Sequence, residues 1–305
     1  MKMDLNKVLY VNLSLVFLLS FACFAQNSST DENKKPEIKG RINVSQIADK
    51  VWCIDNYGVD NMYLIEGNDK ALLIDTGRGI ADLAGFIKTL THLPVMVVNT
   101  HGHLDHAGGN FQFSQVYAHP EDFEMVKQSM GAESRKRAAQ NIKAHDSEAI
   151  FAFIDSTAKR PLPSLLPVQE GYIFDLGGRK LEVVETPGHT KGSIVLLDAG
   201  NRLLFGGDNN GEMVWLFLDD CLPVESYLHN LQKLNTRRDE FDTILPGHGG
   251  PLDKSIIDDQ IVCALMIING DCKGEVYETF TGAQRICRYK KANIAFNPDN
   301  IHIKP

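Results

Sequence analysis

The sequence of 305 residues lacks a cationic stripe, a C-x-x-C cysteine pair, an internal repeat and a low-complexity tract. Its 31 lysines and arginines are outnumbered by 39 aspartates and glutamates, which gives a formal net charge of -8. Such a surface offers no track for a phosphate backbone, so we expect no nucleic-acid partner. Without C-x-x-C, a thiolate metal site or a thioredoxin-like centre lacks its usual spacing. The remaining composition, 43% hydrophobic and 23% charged, is typical of a globular protein with a substantial core.

The chain also lacks an apolar run long enough to span a membrane. Residues 13–25 (LSLVFLLSFACFA) are apolar, but they fall short of the roughly 20 residues that a transmembrane helix needs. The pattern is typical of a signal peptide over 1–25, with cleavage after Ala25, followed by a polar linker over 26–40. We therefore expect an exported protein, periplasmic or secreted, with no integral membrane span after cleavage. A lipid anchor at Cys23 is the alternative.

Cysteine is scarce, and an odd number remains once the signal peptide is set aside. Of six cysteines, Cys23 belongs to the signal peptide, and the remaining five cannot all pair with one another. Export permits a disulfide, and Cys272 with Cys287 is the first pair to test. Cys53 lies in the apolar run VWCI and is predicted to be a small buried residue.

Apolar runs of strand length alternate with amphipathic stretches from residue 50 onward. Strands are predicted at 50–54, 61–66, 71–75, 94–99, 180–185, 193–197, 202–205 and 242–245, with a hairpin turn at 67–69. Helices are predicted at 80–90 and 224–234, and two more between 120 and 158. This order predicts mixed sheets with helices outside. We expect a single domain over 41–305 with a helical cap insertion at about 120–160.

The strongest chemical signal follows the strand at 94–99. The segment HGHLDH places His101, His103, Asp105 and His106 within six residues. Imidazole nitrogen and carboxylate oxygen are ligands that a zinc-like ion prefers. In an extended segment alternate side chains point the same way, so His101 and His103 point to the same side. Asp105 and His106 lie where the chain turns toward a helix. One short loop can therefore serve two ions.

Three further candidate ligands have the same context. His189, Asp208 and His248 each lie just beyond a predicted strand, beside glycine. Ligands in open α/β architectures gather at strand ends, and glycine lets the backbone approach a crowded site. Singly each of the three is a weak signal, but together they indicate one site.

These segments resemble those of the metallo-β-lactamase-fold hydrolases. HGHLDHAGG, TPGHTKGS, FGGD and PGHG occur in family order, and ALLIDTGRG is similar to the family's early strand. The resemblance covers about residues 47–250. It implies an α+β or α/β fold, a four-layer αββα sandwich, with a two-metal site at one edge of two facing sheets. It also implies that Asp75 supports the site without being a ligand, that Asp208 bridges the metals, and that the two ligand sets are His101, His103 and His189, and Asp105, His106 and His248.

A dinuclear site of this kind predicts hydrolysis. Two divalent metal ions that share a water can lower its pKa toward about 7 and give a hydroxide nucleophile at neutral pH. His with carboxylate favours zinc, and manganese or iron is also compatible. Asp105 is predicted to be catalytic, because it can orient the hydroxide and shuttle its proton. The substrate is expected to be a small molecule with a carbonyl: an ester, a thioester, a lactone or an amide.

The resemblance also separates the alternatives. β-Lactamases of this fold usually carry cysteine at the place of Asp208 or no ligand there, whereas thioesterases of the glyoxalase-two type and lactonases carry the aspartate. A β-lactamase is therefore the second hypothesis, and a small-molecule phosphodiesterase the third. The oligomeric state stays open. The role of Trp215 and Phe217 also stays open: they lie either at the mouth of the cleft or in a buried strand. Five hydrophobic residues of the cap either line a pocket or pack between helices: Phe123, Met125, Met130, Phe151 and Phe153.

Overall fold

A computed structural model describes residues 42–140 and 147–304, which belong to one compact unit. The signal peptide predicted over 1–25 and the linker predicted over 26–40 lie outside these residues. Within the described ranges, no helix combines the length and the apolar character that crossing a membrane requires.

Seven strands form the first sheet, in the order in which they follow one another along the chain. The first four pair antiparallel and the last four pair parallel. The predicted turn at 67–69 joins the third and fourth strands as a hairpin. The strands are β1 Ile42–Ala48, β2 Val51–Asn56, β3 Asn61–Glu66, β4 Ala71–Ile74, β5 Val95–Val98, β6 Gln115–Ala118 and β7 Ser164–Pro167.

Six strands form the second sheet. They are β8 Ile173–Asp175, β9 Lys180–Glu185, β10 Ile194–Asp198, β11 Leu203–Gly207, β13 Thr243–Pro246 and β14 Leu252–Asp253. The intervening strand β12 (Met213–Leu216) belongs to a third sheet. Their spatial order is β14-β13-β11-β10-β9-β8. β11 and β13 are parallel neighbours, so their carboxyl ends lie side by side.

The two sheets pack face to face and are covered by helices on their outer faces. The shared inner core contains Ile65, Ile74, Leu196 and Phe205, which are fully buried. Helix α1 (Leu83–Leu90) covers the outer face of the first sheet, and α6 (Val224–Asn235) and α7 (Ile256–Ile268) cover that of the second. Every residue of β10 is buried, as expected for a strand covered on both faces. The predicted four-layer αββα sandwich is confirmed.

A third sheet, of four strands, was not predicted from the sequence. It consists of β12 Met213–Leu216, β15 Glu275–Thr279, β16 Gly282–Tyr289 and β17 Ala292–Phe296, in the order β12-β17-β16-β15. Its first strand lies between β11 and α6 in the chain, and the other three follow α7. A disulfide joins Cys272 to Cys287 on β16, with 6.2 Å between their Cα atoms, so the expected pair is present. Cys53 is half-buried with a free thiol.

In the described part of the helical insertion, three α-helices follow β6, so the prediction of two was wrong. They are α3 Phe123–Ser129, α4 Ala132–Gln140 and α5 Ser147–Thr157. The break between α3 and α4 falls at Met130 and Gly131, a residue that costs helix stability and that the sequence prediction passed over. Met130, Phe123 and Phe153 pack in one small hydrophobic cluster and Phe151 in another, so helix packing explains four of the five hydrophobic cap residues.

Candidate metal centre

The seven predicted ligands all follow strand ends at one edge of the sandwich. β5 ends at Val98 and leads through Thr100 to His101 and His103, and the short helix α2 (Leu104–Ala107) then carries Asp105 and His106. His189 follows β9, Asp208 follows β11 and His248 follows β13. Because β11 and β13 are parallel neighbours, the loops that carry the last two residues begin next to each other.

The structure brings these seven side chains together. They form three overlapping groups whose ligand atoms lie within 4.8 Å of one another: His101, His103 and His189; His101, His106 and Asp208; and Asp105, His106 and His248. His103 Nδ1 lies 2.9 Å from His189 Nε2. Asp208 lies in the middle, with Oδ1 3.3 Å from His106 Nε2 and Oδ2 3.5 Å from His189 Nε2 and 3.3 Å from His248 Nε2.

Each histidine uses one ring nitrogen to contact the surrounding protein and turns the other toward the centre. The contacts on the protein side are His101 Nδ1 with Thr100 Oγ1 at 3.1 Å, His103 Nε2 with Asp220 Oδ2 at 2.7 Å, His106 Nδ1 with Asp75 Oδ2 at 2.8 Å, His189 Nδ1 with the Trp215 carbonyl at 2.7 Å, and His248 Nδ1 with the Val59 carbonyl at 2.5 Å. Such contacts orient the ring and select which nitrogen is free to coordinate. Five rings are therefore held in the arrangement that a metal requires.

Three buried atoms in the centre have no hydrogen-bond partner among residues 42–140 and 147–304: His101 Nε2, His106 Nε2 and Asp208 Oδ1. The last two are 3.3 Å apart but are not aligned as a hydrogen bond. A buried polar atom without a partner costs about 1–3 kcal/mol, so such atoms call for an unseen partner. The donor set of five imidazoles and two carboxylates suits divalent cations such as zinc. The residues present therefore fit the metal site that the sequence predicts.

Glycine is needed at one place beside the centre. A Cβ atom on Gly247 would lie 2.4 Å from Asp208 Oδ1 and 2.7 Å from His106 Cε1. Any larger residue would push two of the predicted ligands out of place. The glycine of PGHG is thus explained by the close approach of backbone to the site.

Asp75 lies behind the centre, as the resemblance implies. Its carboxylate accepts hydrogen bonds from the Thr100 N–H and from Thr100 Oγ1, both at 2.8 Å, and contacts His106 Nδ1. The side chain therefore joins the start of the HGHLDH loop to one of its ligands.

Burial disfavours the charged form of each ligand, and the direction of its pKa shift depends on whether neighbouring charges outweigh burial. For His106 and His248 the Asp208 carboxylate outweighs burial, so that their pKa is raised, to about 9 for His248. For His101 and His189 burial dominates with help from neighbouring histidines, and the pKa of His189 falls to about 4. Nearby histidines overcome burial and lower the pKa of Asp105 and Asp208. Both carboxylates are therefore anionic at neutral pH.

Two supporting residues were missed by the sequence analysis. Asp220 is the carboxylate that contacts His103, and the same contact lowers the pKa of Asp220 against the opposing effect of burial. Asp122 is buried at the start of the helical insertion and accepts hydrogen bonds from the N–H groups of Gly102 and Gly192 and from Thr190 Oγ1. Asp122 therefore ties two ligand loops together. No motif distinguishes either aspartate in the sequence.

A cavity of about 1060 Å³ opens over the centre. Its lining includes the ligands His103, Asp105, His189, Asp208 and His248. Met125 of the insertion and Trp215 of β12 also line it, so Trp215 is both a strand residue and a wall of the cleft, whereas Phe217 is buried. Five of the seven candidate ligands are thus open to a small molecule, whereas His101 and His106 lie buried behind them.

The comparison with known proteins identifies the family. The sequence model of the metallo-beta-lactamase superfamily matches residues 56–248. The chain belongs to this superfamily and is a metal-dependent hydrolase. Acyl-coenzyme A thioesterase MBLAC2 of Gallus gallus is 30% identical over 218 residues, which cover 62% of this chain and 72% of that protein. Hydroxyacylglutathione hydrolase GloC of Haemophilus influenzae is 29% identical over 154 residues, covering 48% of this chain and 65% of that protein.

Solved structures agree on the fold. A metallo-beta-lactamase from Erythrobacter litoralis superposes with a TM-score of 0.53 at 18% identity, covering 74% of this chain and 97% of that chain. The sec-alkylsulfatase Pisa1 from Pseudomonas sp. gives a TM-score of 0.56 at 18% identity, covering 75% of this chain and 42% of that chain. At such identities the likeness concerns the architecture alone.

Proposed function

We propose that this hydrolase cleaves acyl thioesters with two divalent cations, zinc in preference to manganese or iron. The observation that carries the proposal is the position of Asp208, whose Oδ1 faces His106 and whose Oδ2 faces His189 and His248. A carboxylate placed between two groups of histidines can serve two cations at once. The substrate class is supported by similarity to proteins named for hydrolysis of acyl-coenzyme A and of hydroxyacylglutathione, both of which are thioesters.

Each cation would have its own ligands and would share one. Asp208 would be shared, His101, His103 and His189 would hold one cation, and Asp105, His106 and His248 the other. When bound, such cations polarise a carbonyl and lower the pKa of water. Asp75 and Asp220 would keep His106 and His103 in the coordinating orientation through the contacts described above.

Asp105 is the group that we assign to proton handling. Its carboxylate lines the cavity and is 29% exposed, with Oδ2 3.6 Å from His248 Nε2. Its lowered pKa keeps it anionic, so it can accept a hydrogen bond from the attacking water and fix the direction of attack. A thiol leaving group has a pKa near 8.5, so it departs as thiolate without a strong acid.

Ser193 and Cys221, which lie close to His189, are not placed for nucleophilic attack. The Ser193 hydroxyl is buried and contacts Thr190, 2.9 Å away. Cys221 is buried, and burial raises the pKa of its thiol, so that it stays protonated. Direct attack by water agrees with this environment.

The test compares purified wild type with Asp105→Asn on octanoyl-coenzyme A, a lactone, nitrocefin and a bis-aryl phosphate. We expect thioester turnover that is lost with a chelator and restored by zinc, and a loss of at least about a hundredfold in kcat for the variant. Metal content and circular dichroism of both proteins show whether the variant still binds metal and folds. Wild-type turnover confined to nitrocefin or to the phosphate would refute the thioester assignment.

Export stays part of the proposal. It rests on the N-terminal segment, in which an apolar run ends at Ala25. N-terminal sequencing of the protein from cells should give a chain that begins at Gln26. A chain that begins at a lipid-modified Cys23 would show an anchored protein instead.

A further inference from the structure

The cavity over the metal centre has one aromatic side, and part of it lies outside the segment that matches the family. Trp215 of β12, Tyr277 of β15 and Phe280 line the cavity together. Tyr277 and Phe280 follow residue 248, where the family match ends. Both belong to the hairpin of β15 and β16, whose tip holds Phe280.

Phe280 is unusual for a large apolar side chain. It is 76% exposed, yet its ring centroid lies 5.9 Å from that of Trp215 and 6.4 Å from that of Phe217. The rings of Tyr277 and Phe217 are 6.5 Å apart. Trp215, Tyr277 and Phe280 thus form one aromatic surface that faces the cavity, and the buried Phe217 lies behind it in contact with all three rings. This differs from a single exposed hydrophobic residue on a polar surface.

The aromatic surface is joined directly to the metal centre. The Trp215 carbonyl contacts His189 Nδ1 at 2.7 Å, while the Trp215 ring lines the cavity. One residue therefore orients a candidate ligand with its backbone and offers an apolar face with its side chain. A substrate whose carbonyl lies at the centre would have room for an apolar group along Trp215 toward Phe280.

Two arginines contribute positive charge to the cavity lining. Arg78, which follows β4, and Arg137 of α4 also line the cavity and give it two cationic groups outside the aromatic surface, of which Arg78 lies 3.7 Å from the Asp60 carboxylate. An amphipathic molecule with a hydrocarbon part and anionic groups matches this division. The volume of about 1060 Å³ is at the upper end of ordinary ligand sites.

We infer that Trp215, Tyr277 and Phe280 form an acyl-binding subsite that takes the hydrocarbon chain of the thioester substrate. The inference rests on the proposed thioester hydrolysis. Acyl groups long enough to reach Phe280 gain apolar contact, and an acetyl group does not reach it. The C-terminal hairpin therefore sets the preference for chain length.

The first test measures kcat/KM for octanoyl and acetyl thioesters of coenzyme A. Phe280→Ala should lower the ratio of kcat/KM for octanoyl to that for acetyl by about tenfold, because the methylene groups of the octanoyl chain are no longer buried against the Phe280 ring. Phe280→Leu should restore part of this ratio. Val276→Ala is the matched control, since Val276 lies on the same hairpin, is 60% exposed and does not line the cavity. An unchanged ratio in Phe280→Ala, or an equal change in Val276→Ala, overturns the subsite.

The second test measures binding without turnover. The chain has two tryptophans, and Trp52 packs in the cluster under α1, away from the aromatic surface. Titration with decanoate should change the fluorescence of Trp52→Phe, and Phe280→Ala should weaken the apparent Kd by about tenfold. Decanoate binding in a protein that hydrolyses no thioester would refute the function and support the subsite. Thioester hydrolysis with no decanoate binding and no chain-length effect would support the function and overturn the subsite.

Discussion

Each histidine of the centre depends on a second residue that sets which ring nitrogen faces inward. The partner is a carboxylate for His103 and His106, a hydroxyl for His101 and a backbone carbonyl for His189 and His248. A carbonyl can only accept a hydrogen bond, so it fixes the proton of His189 and His248 on Nδ1 and leaves Nε2 to coordinate. The five rings are thus oriented before any metal arrives.

Asp220 gives a test of this preparation at a single residue. Asp220→Ala should weaken metal binding by about 10- to 100-fold, because His103 loses the partner that orients its ring. Asp220→Asn should lose less, since its amide oxygen can accept the same hydrogen bond. Competition with a chelating dye measures the affinity.

Asp219→Asn is the control for the Asp220 variants, because Asp219 is adjacent and exposed. Its metal affinity should equal that of the wild type. If Asp220→Ala also keeps the wild-type affinity, Asp220 does not position the ligand.

The sequence predicts the seven candidate ligands better than it predicts the residues that hold them in place. His101, His103, Asp105 and His106 are dense enough to stand out in the sequence, and glycines mark the other three loops. Asp220 and Asp122 approach the site only through tertiary folding, from the loop after β12 and from the start of the insertion. A solitary aspartate in a loop has the same appearance whether it faces solvent or a ligand.

At the scale of elements, the strands of the second sheet were among the easiest to predict. The apolar run at 193–197 became the fully buried β10 with a shift of one residue, and KLEVVE, in which Leu181, Val183 and Val184 are buried, became β9 with the predicted bounds. The third sheet was missed for a physical reason. β15 has mostly exposed or half-buried side chains, and three of its five residues are Glu or Thr, so it gives a weak strand signal before its neighbours are known.

The disulfide gives a prediction for the C-terminal hairpin. Cys272→Ser with Cys287→Ser should lower the free energy of unfolding by about 3 kcal/mol, because a crosslink that closes a 15-residue separation restricts the unfolded chain. Urea denaturation under oxidising conditions measures the change.

A reductant should lower the stability of the wild-type protein but leave the double variant unaffected. An identical urea midpoint for wild type and variant would show that the hairpin is stable without the crosslink.

For the whole molecule, the centre links metal, pH and stability. Without metal, Asp208 raises the pKa of His248 to about 9 against the effect of burial, whereas an unfolded histidine titrates near 6.5. The protonated ring stabilises the folded state fully below pH 6.5, and this contribution is lost as the pH rises through about 9. His106, whose pKa is also raised, acts in the same direction.

We therefore expect the Tm of chelator-treated protein to fall between pH 6.5 and 8.5 by more than that of zinc-loaded protein, in which Nε2 of His106 and of His248 would carry no proton. Calorimetry at three pH values in this range measures the difference. His248→Ala without metal should show a shallower fall. Parallel curves for the metal-free and loaded wild type would contradict the prediction.

Asp122 has a consequence for how such a protein can diversify. Because its one carboxylate holds Gly102 and Gly192, the first turn of the helical insertion is part of the frame that carries His103 and His189. Remodelling that turn would disturb chemistry along with selectivity. Among the described residues, no side chain of the C-terminal hairpin hydrogen-bonds to a loop that carries a ligand, and Phe280 contacts Trp215 only through its ring. New substrate preferences can therefore arise there by exchange of a few surface residues while the reaction centre stays intact.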